Sequence, residues 1–401
     1  MGCCLKHMFG FSSEEQLKVM KVQEVICRAM SGKISWLDAA EILRWSPRTL
    51  RRWRWRYEKF GYDGLFDRRK RRPSPKRVPM RTAERVLRLY REQYHDFNVR
   101  HFHEKLLEEH GIKLSYQWVK CALQTAGLVR RRTRQSPHRL QRERRPMRGM
   151  LLHVDGSTHC WLAGQGWKQD LIAFLDDATA EVYSAYLVEE EGTLTVLAGL
   201  KEVIDKHGLF CSLYSDRGSH FFYTDQAGGK VNKSRLTQIG RALAQLGIEH
   251  IPSYSPQARG RMERFFETWQ GRLPQELRKA GITEMQAANQ FIGQKMIPWH
   301  NRKLAVAPKE EGSAFVPAQG ADLEGIVCVV EDRVVNNDNT VSWGQRKLQL
   351  EAVGWRSSLA KCRVKVCEHV DGRLSVRYGP QVVGWYDAQV QSLAPRLLKA
   401  A

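Results

Sequence analysis

The sequence contains no apolar run of the roughly 18 residues that a membrane-spanning helix needs. Its first ten residues lack the basic-then-apolar order of a secretory signal, and Lys6 stands where a myristoylation signal requires Ser or Thr. Nine cysteines are scattered over the 401 residues, and none forms a Cys-x-x-Cys pair. A disulfide framework or a zinc knuckle is therefore not indicated. These absences predict a cytoplasmic protein without a membrane segment.

Acidic residues are scarce in the first part of the chain. Residues 1–149 contain 36 Lys and Arg against 15 Asp and Glu, a net charge of +21, whereas the remaining 252 residues contain 29 and 28, a net charge of +1. A basic segment of this length attracts a polyanion, which is usually DNA or RNA. A solvated basic tail is the alternative, but this segment has Trp, Leu and Ile at helical spacing, which disordered tails lack.

Three helices are predicted near the start, at Glu14–Met30, Trp36–Leu43 and Arg48–Phe60. Ser46 and Pro47 supply an N-cap and a first-turn proline for the third helix. The second and third helices, joined by a tight turn, are typical of a helix-turn-helix whose second helix enters the major groove.

We therefore predict a helix-turn-helix DNA-binding domain over residues 12–66. Leu50, Trp53 and Tyr57 form the apolar face of the third helix. Arginines cover much of the rest of that helix and are predicted to bind DNA: Arg48, Arg51, Arg52, Arg54 and Arg56. A surface helix with solvated arginines is the alternative.

Two basic, proline-containing linkers are predicted, at 67–81 and 131–148. Between them, residues 82–130 repeat the helical pattern and predict a second helix-turn-helix domain. Its helices are expected at Thr82–Tyr94, Val99–His110 and Ser115–Ala126. The last of these is less basic than Arg48–Phe60, so a scaffold role is nearly as well supported as contact with bases.

From residue 149 to 305 the pattern changes to strands followed by alternating helices and strands, which indicates an α/β sandwich. The predicted elements are strands at Met150–Asp155, Leu171–Leu175, Val182–Val188, Leu209–Ser215 and from His250, and helices at Thr193–Lys206, Leu236–Leu246 and Gly260–Lys279. Residues 320–392 are strand-rich and predict a small antiparallel β-barrel. The fold class is thus multidomain, with all-α helix-turn-helix domains, a central α/β core and a C-terminal β-barrel.

Three acidic residues stand in contexts that favour a shared metal site. Asp155 ends the first predicted strand of the core, Asp216 ends a later strand, and Glu263 lies in the first turns of the long helix. Carboxylates at adjacent strand ends and on a nearby helix can converge on hard cations such as Mg²⁺, which prefer oxygen ligands. Two such ions, about 3.5–4 Å apart, stabilise the attacking and leaving oxygens of an in-line phosphoryl displacement.

Other acidic residues compete for these roles. Asp176 and Asp177 end the neighbouring strand and Thr179 follows them, so a turn role is favoured for both. Glu267 lies one helical turn from Glu263 on the same face and is the alternative third carboxylate. A lone strand-end Asp or helical Glu carries little weight, so the prediction depends on the three residues as a set.

The segment from about 150 to 300 resembles the integrase catalytic core of retroviral integrases and of many bacterial insertion-sequence transposases. The resemblance lies in His-Val-Asp155, in Ser-Asp216-Arg-Gly-Ser-His-Phe and in Ser-Pro-Gln-Ala-Arg-Gly-Arg-Met-Glu263. It implies a ribonuclease H-like core whose Asp, Asp, Glu triad holds two Mg²⁺ or Mn²⁺ ions. The helical and strand-rich flanks also resemble transposases of this class, so the likeness covers nearly the whole chain.

This resemblance implies a DNA transposase that cleaves a phosphodiester at the element's end and joins the freed 3′ hydroxyl to target DNA. The expected partners are double-stranded DNA, at the terminal inverted repeats and at the target, and further copies of the chain. A homodimer or larger assembly is expected because two ends must be held together. Two alternatives remain open: a sequence-specific DNA-binding protein with an inactive core, and a metal-dependent nuclease.

The sequence departs from the integrase pattern in two respects. The interval from Asp216 to Glu263 is longer than usual, and Tyr223–Ser234 has the composition of an inserted surface loop, which costs little entropy. The zinc-binding His-His-Cys-Cys module of retroviral integrases is absent. His101 and His103 have no partner cysteines and are predicted to lie at the surface or to face DNA.

Arginines flank Glu263 in the long helix. Arg259, Arg261, Arg264 and Arg272 could hold phosphates beside the metal ions, although ordinary helix solvation is equally well supported. Arg259, Arg261 and Arg264 are predicted as DNA-binding residues on this basis.

Overall fold

Side-chain caps and apolar spacing define the first group of helices. The computed structural model describes residues 13–66, 77–131 and 142–391, apart from positions 225, 227, 228, 233, 255, 353 and 390. The chain divides into two units near Arg85. The first unit contains helices α1 (Ser13–Met30), α2 (Trp36–Leu43) and α3 (Pro47–Phe60).

The turn between α2 and α3 is built as the sequence predicts. The hydroxyl of Ser46 accepts the backbone N–H of Thr49 at 3.2 Å, and Pro47 occupies the first turn of α3. Arg44 ends α2 in the left-handed region, with φ of 52°. Ile26, Ala39 and Leu50 bury the faces where the three helices meet. The predicted helix-turn-helix is confirmed.

Three further helices precede the sheet: α4 (Met80–Glu92), α5 (Val99–Glu108) and α6 (Tyr116–Thr125). Asn98 and Ser115 cap α5 and α6 with their side chains. A buried cluster that includes Tyr94, Phe102 and Leu123 holds this group together. The predicted linkers at 67–81 and 131–148 fall largely on residues 67–76 and 132–141, which lie outside the described residues.

A mixed five-stranded sheet forms the centre of the second unit. Its strands are β1 (Leu152–His159), β2 (Gln169–Asp176), β3 (Val182–Val188), β4 (Ser212–Ser215) and β5 (Glu249–Pro252). The order is β3-β2-β1-β4-β5, with β1 to β3 antiparallel and with β4 parallel to both β1 and β5. This arrangement confirms the predicted α/β core.

Helices cover both faces of the sheet. One buried cluster joins the sheet to α7 (Thr193–His207) and α8 (Gln238–Gln245). A second cluster joins the opposite face to the remaining helices: α9 (Pro256–Gln270), α10 (Leu273–Lys279), α11 (Met285–Phe291) and α12 (Ile297–Leu304). Along β2, Ile172 and Phe174 belong to the first cluster and Ala173 to the second, as strand alternation requires.

Two predicted element boundaries are corrected. Asp155 does not end its strand, because the antiparallel pairing of β1 with β2 continues to His159 opposite Gln169. The long helix predicted at Gly260–Lys279 is two helices, α9 and α10. Pro274 lies in the first turn of α10, where a proline is tolerated, and it could not have continued an unbroken helix.

The prediction of a C-terminal β-barrel is wrong. A short helix, α13 (Leu323–Ile326), leads into a four-stranded antiparallel sheet, and a separate hairpin lies between its first two strands in sequence. The strands are β6 (Cys328–Val334), β7 (Thr340–Trp343), β8 (Arg346–Gln349), β9 (Arg363–His369), β10 (Leu374–Tyr378) and β11 (Gln381–Tyr386).

Among the described strands, the sheet order β11-β10-β9-β6 leaves β6 and β11 as edges, and closure would need them to pair. The hairpin β7-β8 instead buries Val341 and Leu348 in the same cluster as Val366 and Val376 of the sheet. This domain also packs on the core, since the guanidinium of Arg241 in α8 donates to the backbone carbonyl of Cys328 at 2.6 Å.

The second helical group is fixed to α10 by buried charges. His101 lies fully buried at 2.7 Å from a carboxylate oxygen of Glu276, to which Lys105 also donates. Arg272, just before α10, pairs with Glu104 at 2.6 Å. The prediction that His101 lies at the surface or faces DNA is therefore wrong, and α5 serves at least in part as a scaffold.

Within the part of the chain that the structure describes, no helix combines the length and the apolar character required to cross a bilayer.

Candidate active site and DNA-binding face

The strand register brings Asp155 and Asp216 together. Leu152 and His153 of β1 pair in parallel with Leu213 and Tyr214 of β4. If this register is continued by two residues, it places Asp155 level with Asp216, which directly follows the last residue of β4. Two of the three predicted site residues therefore meet because adjacent parallel strands carry them at matching positions.

One guanidinium joins these two carboxylates. Nη2 of Arg259, in α9, lies 2.8 Å from Oδ1 of Asp155 and 3.5 Å from Oδ2 of Asp216. The side chain of Asp155 is 18% exposed and that of Asp216 is 34% exposed, so the pair lies at the floor of the site. The backbone N–H of Gly218 also donates to Oδ1 of Asp216 at 2.8 Å, which orients that carboxylate.

Negative charge is concentrated around Asp155. Burial, together with the neighbouring charges of Asp216 and Glu191, raises the pKa of Asp155 to about 6 against the opposing effect of Arg259. A carboxylate in this environment is stabilised by any cation that approaches it. The chemistry of the site therefore favours cation binding by oxygen ligands.

Glu263 shares a face of α9 with two residues that contact β1, Arg259 and Gln270. Arg259 and Glu263 are four residues apart and so share a helix face. Further along, Nε2 of Gln270 donates to Oγ of Ser157 on β1 at 3.0 Å. The contacts of Arg259 and Gln270 bracket Glu263, whose own side chain is exposed.

Glu191 is a fourth acidic residue at the site, and sequence reasoning did not select it. A Cβ atom at position 156 would clash with Oε2 of Glu191, so this carboxylate packs directly on the backbone of Gly156, next to Asp155. The other oxygen of Glu191 lies 3.2 Å from Nε2 of His220. The only available signal was the run of three glutamates after β3, which resembles an ordinary solvated turn.

The acidic groups fit a divalent cation by their chemistry and their shared position. Asp155 and Asp216 already meet at one positively charged nitrogen. The described residues contain no group of three His, Cys, Asp or Glu side chains close enough together to hold a metal ion as they stand. To act as a third ligand, the carboxylate of Glu263 would need to move closer to Asp155 and Asp216.

The arginines near Glu263 occupy different environments. Arg259 contacts the two aspartates, whereas Arg261 is turned inward to Asp177. Arg264 is exposed, and Arg272 is buried against Glu104 with its guanidinium 3.8 Å from the ring centroid of Trp299. Only Arg264 is held mainly in solvent.

Helix α3 presents a continuous polar and basic face. Arg48, Arg51 and Arg52 are exposed and lie at helical spacings of three and four residues. By contrast, Arg54 pairs with Glu58 at 2.7 Å, and Arg56 donates to the backbone carbonyl of Phe66 at 2.9 Å. The five predicted DNA-binding arginines are thus divided between a free face and intramolecular contacts.

Trp55 completes this face and was not predicted as a functional residue. Its side chain is 53% exposed, and it follows Arg51 and Arg52 at spacings of four and three residues. Nζ of Lys59 lies 5.0 Å from the centroid of its ring. The signal in the sequence was its position one turn beyond the arginines; the apolar pattern of Leu50, Trp53 and Tyr57 obscured it.

A helix-turn-helix joined to an α/β core with paired carboxylates defines a DNA-processing enzyme of the polynucleotidyl transferase type. The chain belongs to the insertion-sequence transposases. Residues 23–74 match the family model of a helix-turn-helix domain, and residues 49–123 match that of a homeodomain-like domain.

Two relatives carry this assignment. A protein named as a transposase, y4bF of Sinorhizobium fredii (strain NBRC 101917 / NGR234), is 31% identical over 359 residues, which are 88% of this chain and 78% of that protein. The transposase for insertion sequence IS1202 of Streptococcus pneumoniae is 28% identical over 302 residues, covering 67% of this chain and 64% of that protein.

Solved structures of retroviral proteins overlap the chain more weakly. A simian T-cell lymphotropic virus intasome, in complex with PP2A regulatory subunit B56 gamma, covers 71% of this chain and 93% of its own at 14% identity and a TM-score of 0.33. The HTLV-2 integrase catalytic core in complex with magnesium (trimeric form) covers 40% of this chain and 90% of its own, at 14% identity and a TM-score of 0.30. Because these overlaps are weak, the α/β fold of the core is assigned from the strand order of its own sheet.

Proposed function

We propose that this transposase cuts the ends of its element and joins them to target DNA, with Asp155, Asp216 and Glu263 holding two Mg²⁺ or Mn²⁺ ions. The observation that carries this proposal is the meeting of Asp155 and Asp216 at a single cationic nitrogen of Arg259. The position of Glu263 on the same face of α9 as Arg259 supports it as the third ligand.

Each residue of the site would have a distinct role. Asp155 and Asp216 would bind the metal ions from the sheet, and Glu263 would bind them from α9. When bound, the two cations would stabilise the attacking and leaving oxygens of the phosphoryl transfer. Arg259, released from the carboxylates by those charges, is then free to hold a phosphate, as is the exposed Arg264.

The DNA-binding domains would deliver the element ends to this site. We assign the recognition of the terminal inverted repeats to residues 12–66, with residues 82–130 as a second helical domain, 149–305 as the catalytic domain and 320–392 as a C-terminal strand domain. Because two ends must be joined in one reaction, the active species would be a homodimer or a larger assembly on double-stranded DNA.

Incubating the full chain with a labelled duplex of the inverted repeat and a supercoiled plasmid, with Mg²⁺, tests this proposal. We expect the labelled end to become covalently joined to the plasmid, and chelation of the metal to prevent it. Cleavage without joining would identify a nuclease. Stable binding with neither cleavage nor joining would identify a DNA-binding protein with an inactive core.

The exposed arginines of α3 should dominate binding to the element end. Arg51→Ala and Arg52→Ala are each expected to weaken binding about tenfold, as for loss of one good base or phosphate contact. The matched control is Arg28→Ala, which removes the same charge from α1, where Arg28 pairs with Glu24. Fluorescence anisotropy at several salt concentrations measures the effect; equal losses in Arg28→Ala would indicate general charge attraction alone.

Trp55 should contribute apolar contact with bases in the groove, such as a thymine methyl group. Trp55→Ala is expected to weaken binding to the inverted repeat by about five- to tenfold, corresponding to about 1 kcal/mol. Leu17→Ala, an exposed apolar change on α1, serves as control. If uracil replaces thymine in the repeat, wild type should lose affinity while Trp55→Ala changes little, and an unchanged wild type would contradict the methyl contact.

A further inference from the structure

Residues from three segments of the second unit contact one buried carboxylate. Asp177, immediately after β2, is fully buried. It accepts the backbone N–H of Arg145 at 2.7 Å and lies 2.6 Å from Nε2 of His153. The guanidinium groups of Arg142 and Arg261 both pair with Oδ1 of the same carboxylate.

These donors come from parts of the chain that matter for the site. His153 lies on β1, two residues before Asp155. Arg261 lies on α9, two residues before Glu263. Arg142 belongs to the segment that precedes β1 and follows the second helical group, and its backbone carbonyl accepts Nη2 of Arg261 at 2.9 Å.

The cluster is held as an ionic network. Burial by itself would raise the pKa of Asp177, but hydrogen bonds from His153 and Arg145 and the charge of Arg261 hold it at about 2. Asp177 is therefore the anion that balances two guanidinium groups, and losing either partner would leave a poorly compensated charge.

A turn role explains Asp176 but not Asp177. Asp176 accepts the N–H and the hydroxyl of Thr179, as expected for a turn. Asp177 makes no such local contact with its side chain among the described interactions, and its partners are separated from it by 24 to 84 residues in sequence. Its side chain thus connects distant segments.

We propose that Asp177 is a positioning residue, which holds α9 and its Glu263 against β1 and makes that placement depend on the segment of Arg142. This inference rests on the proposed function, because it assigns a purpose to the position of Glu263. It also implies that the chain leading from the DNA-binding helices into the core helps to align the catalytic helix.

Two variants test the network. Arg261→Gln removes the ion pair between Asp177 and α9, and Arg142→Gln removes the ion pair with the segment before β1. Because Arg142 is more exposed than Arg261, the effect of Arg142→Gln is expected to be smaller. The matched control is Arg148→Gln, because Arg148 lies in the same segment but pairs with Glu181. For each variant, the strand-transfer rate at saturating DNA, the affinity for Mn²⁺ and the melting temperature are measured.

Mn²⁺ binding is followed by the electron paramagnetic resonance of the free ion, and the site is defined as the binding that Asp155→Asn abolishes. Because residues that orient metal ligands typically affect affinity or rate 10- to 100-fold, we expect Arg261→Gln to lower both at least about tenfold. Arg142→Gln should lower both by about threefold or more, with DNA affinity unchanged. Arg148→Gln should match wild type.

The outcomes separate positioning from mere structural support. Variants that melt earlier but, while folded, bind Mn²⁺ and join DNA like wild type would overturn the proposal. If Arg261→Gln does not fold, Arg142→Gln decides by itself, and wild-type behaviour in that variant is a refutation. If the wild-type protein joins no DNA, the proposed function fails, whereas the Mn²⁺ affinities still decide the role of Asp177.

Discussion

Glu263→Gln is expected to lower the strand-transfer rate about a thousandfold or more while binding of the element end stays near wild type. The substitution keeps the size of the side chain but removes the negative charge that a metal ligand needs. Metal ions contribute several kcal/mol to such reactions, and each 1.36 kcal/mol is a factor of about ten in rate. Asp155→Asn and Asp216→Asn should have effects of the same order.

The chain offers a control for this experiment one turn further along α9. Glu267 shares the helix face of Glu263 but lies farther from Arg259, which contacts both aspartates. Glu267→Gln should therefore retain most of the activity. If Glu267→Gln were inactive and Glu263→Gln active, the third ligand would be Glu267.

Glu276→Gln is expected to destabilise the second unit by about 3 kcal/mol near neutral pH. The side chain of Glu276 is 13% exposed. From α10 it pairs with His101 and Lys105 of α5, so its charge joins the two helices. Burial alone would raise its pKa, but hydrogen bonds from His101 and Lys105 lower the pKa of Glu276 to about 2, from 4.5. A difference of this size corresponds to about 3 kcal/mol.

The same shift predicts a pH dependence with a definite sign. A carboxyl group whose pKa is lowered by folding contributes its full stability above its unfolded value and loses it as the pH falls toward the folded value. Between about pH 4.5 and pH 2, wild type should therefore lose about 3 kcal/mol more than Glu276→Gln. Urea unfolding at several pH values, followed by circular dichroism, measures both curves.

Glu108→Gln is the matched control, since it changes an exposed glutamate of the neighbouring helix α5. This variant should follow the wild-type curve. Parallel curves for wild type and Glu276→Gln would contradict the assignment of an ionic anchor between α5 and α10.

Local signals in the sequence were sufficient for the helices and most of the strands. Ser46 and Pro47 defined the start of α3, and Val182–Val188 was recognised as a strand from its composition. The proline at 274 marks the break between α9 and α10, but the apolar pattern continues across it and favours one long helix. The barrel prediction failed because closure depends on whether distant edges pair, which no local pattern encodes.

The candidate site could be predicted only in part, because part of it depends on contacts between residues that are distant in sequence. Asp155, Asp216 and Glu263 are predictable because each lies within a distinctive short sequence motif. Glu191 and Asp177 lie in no such motif. Glu191 contacts Gly156, and Asp177 contacts Arg142 and Arg261, all of which are distant in sequence. The division of the α3 arginines likewise follows from neighbours such as Phe66.

What the sequence by itself determined is the order of helices and strands, the basic character of the first 149 residues and the three candidate carboxylates. These properties depend on near neighbours, through caps, periodicity and charge. Only the tertiary structure decided that β1 and β4 align Asp155 with Asp216 and that Arg259 joins them. It also decided that Asp177 gathers three segments, because such contacts depend on strand register and burial, which the whole chain sets together.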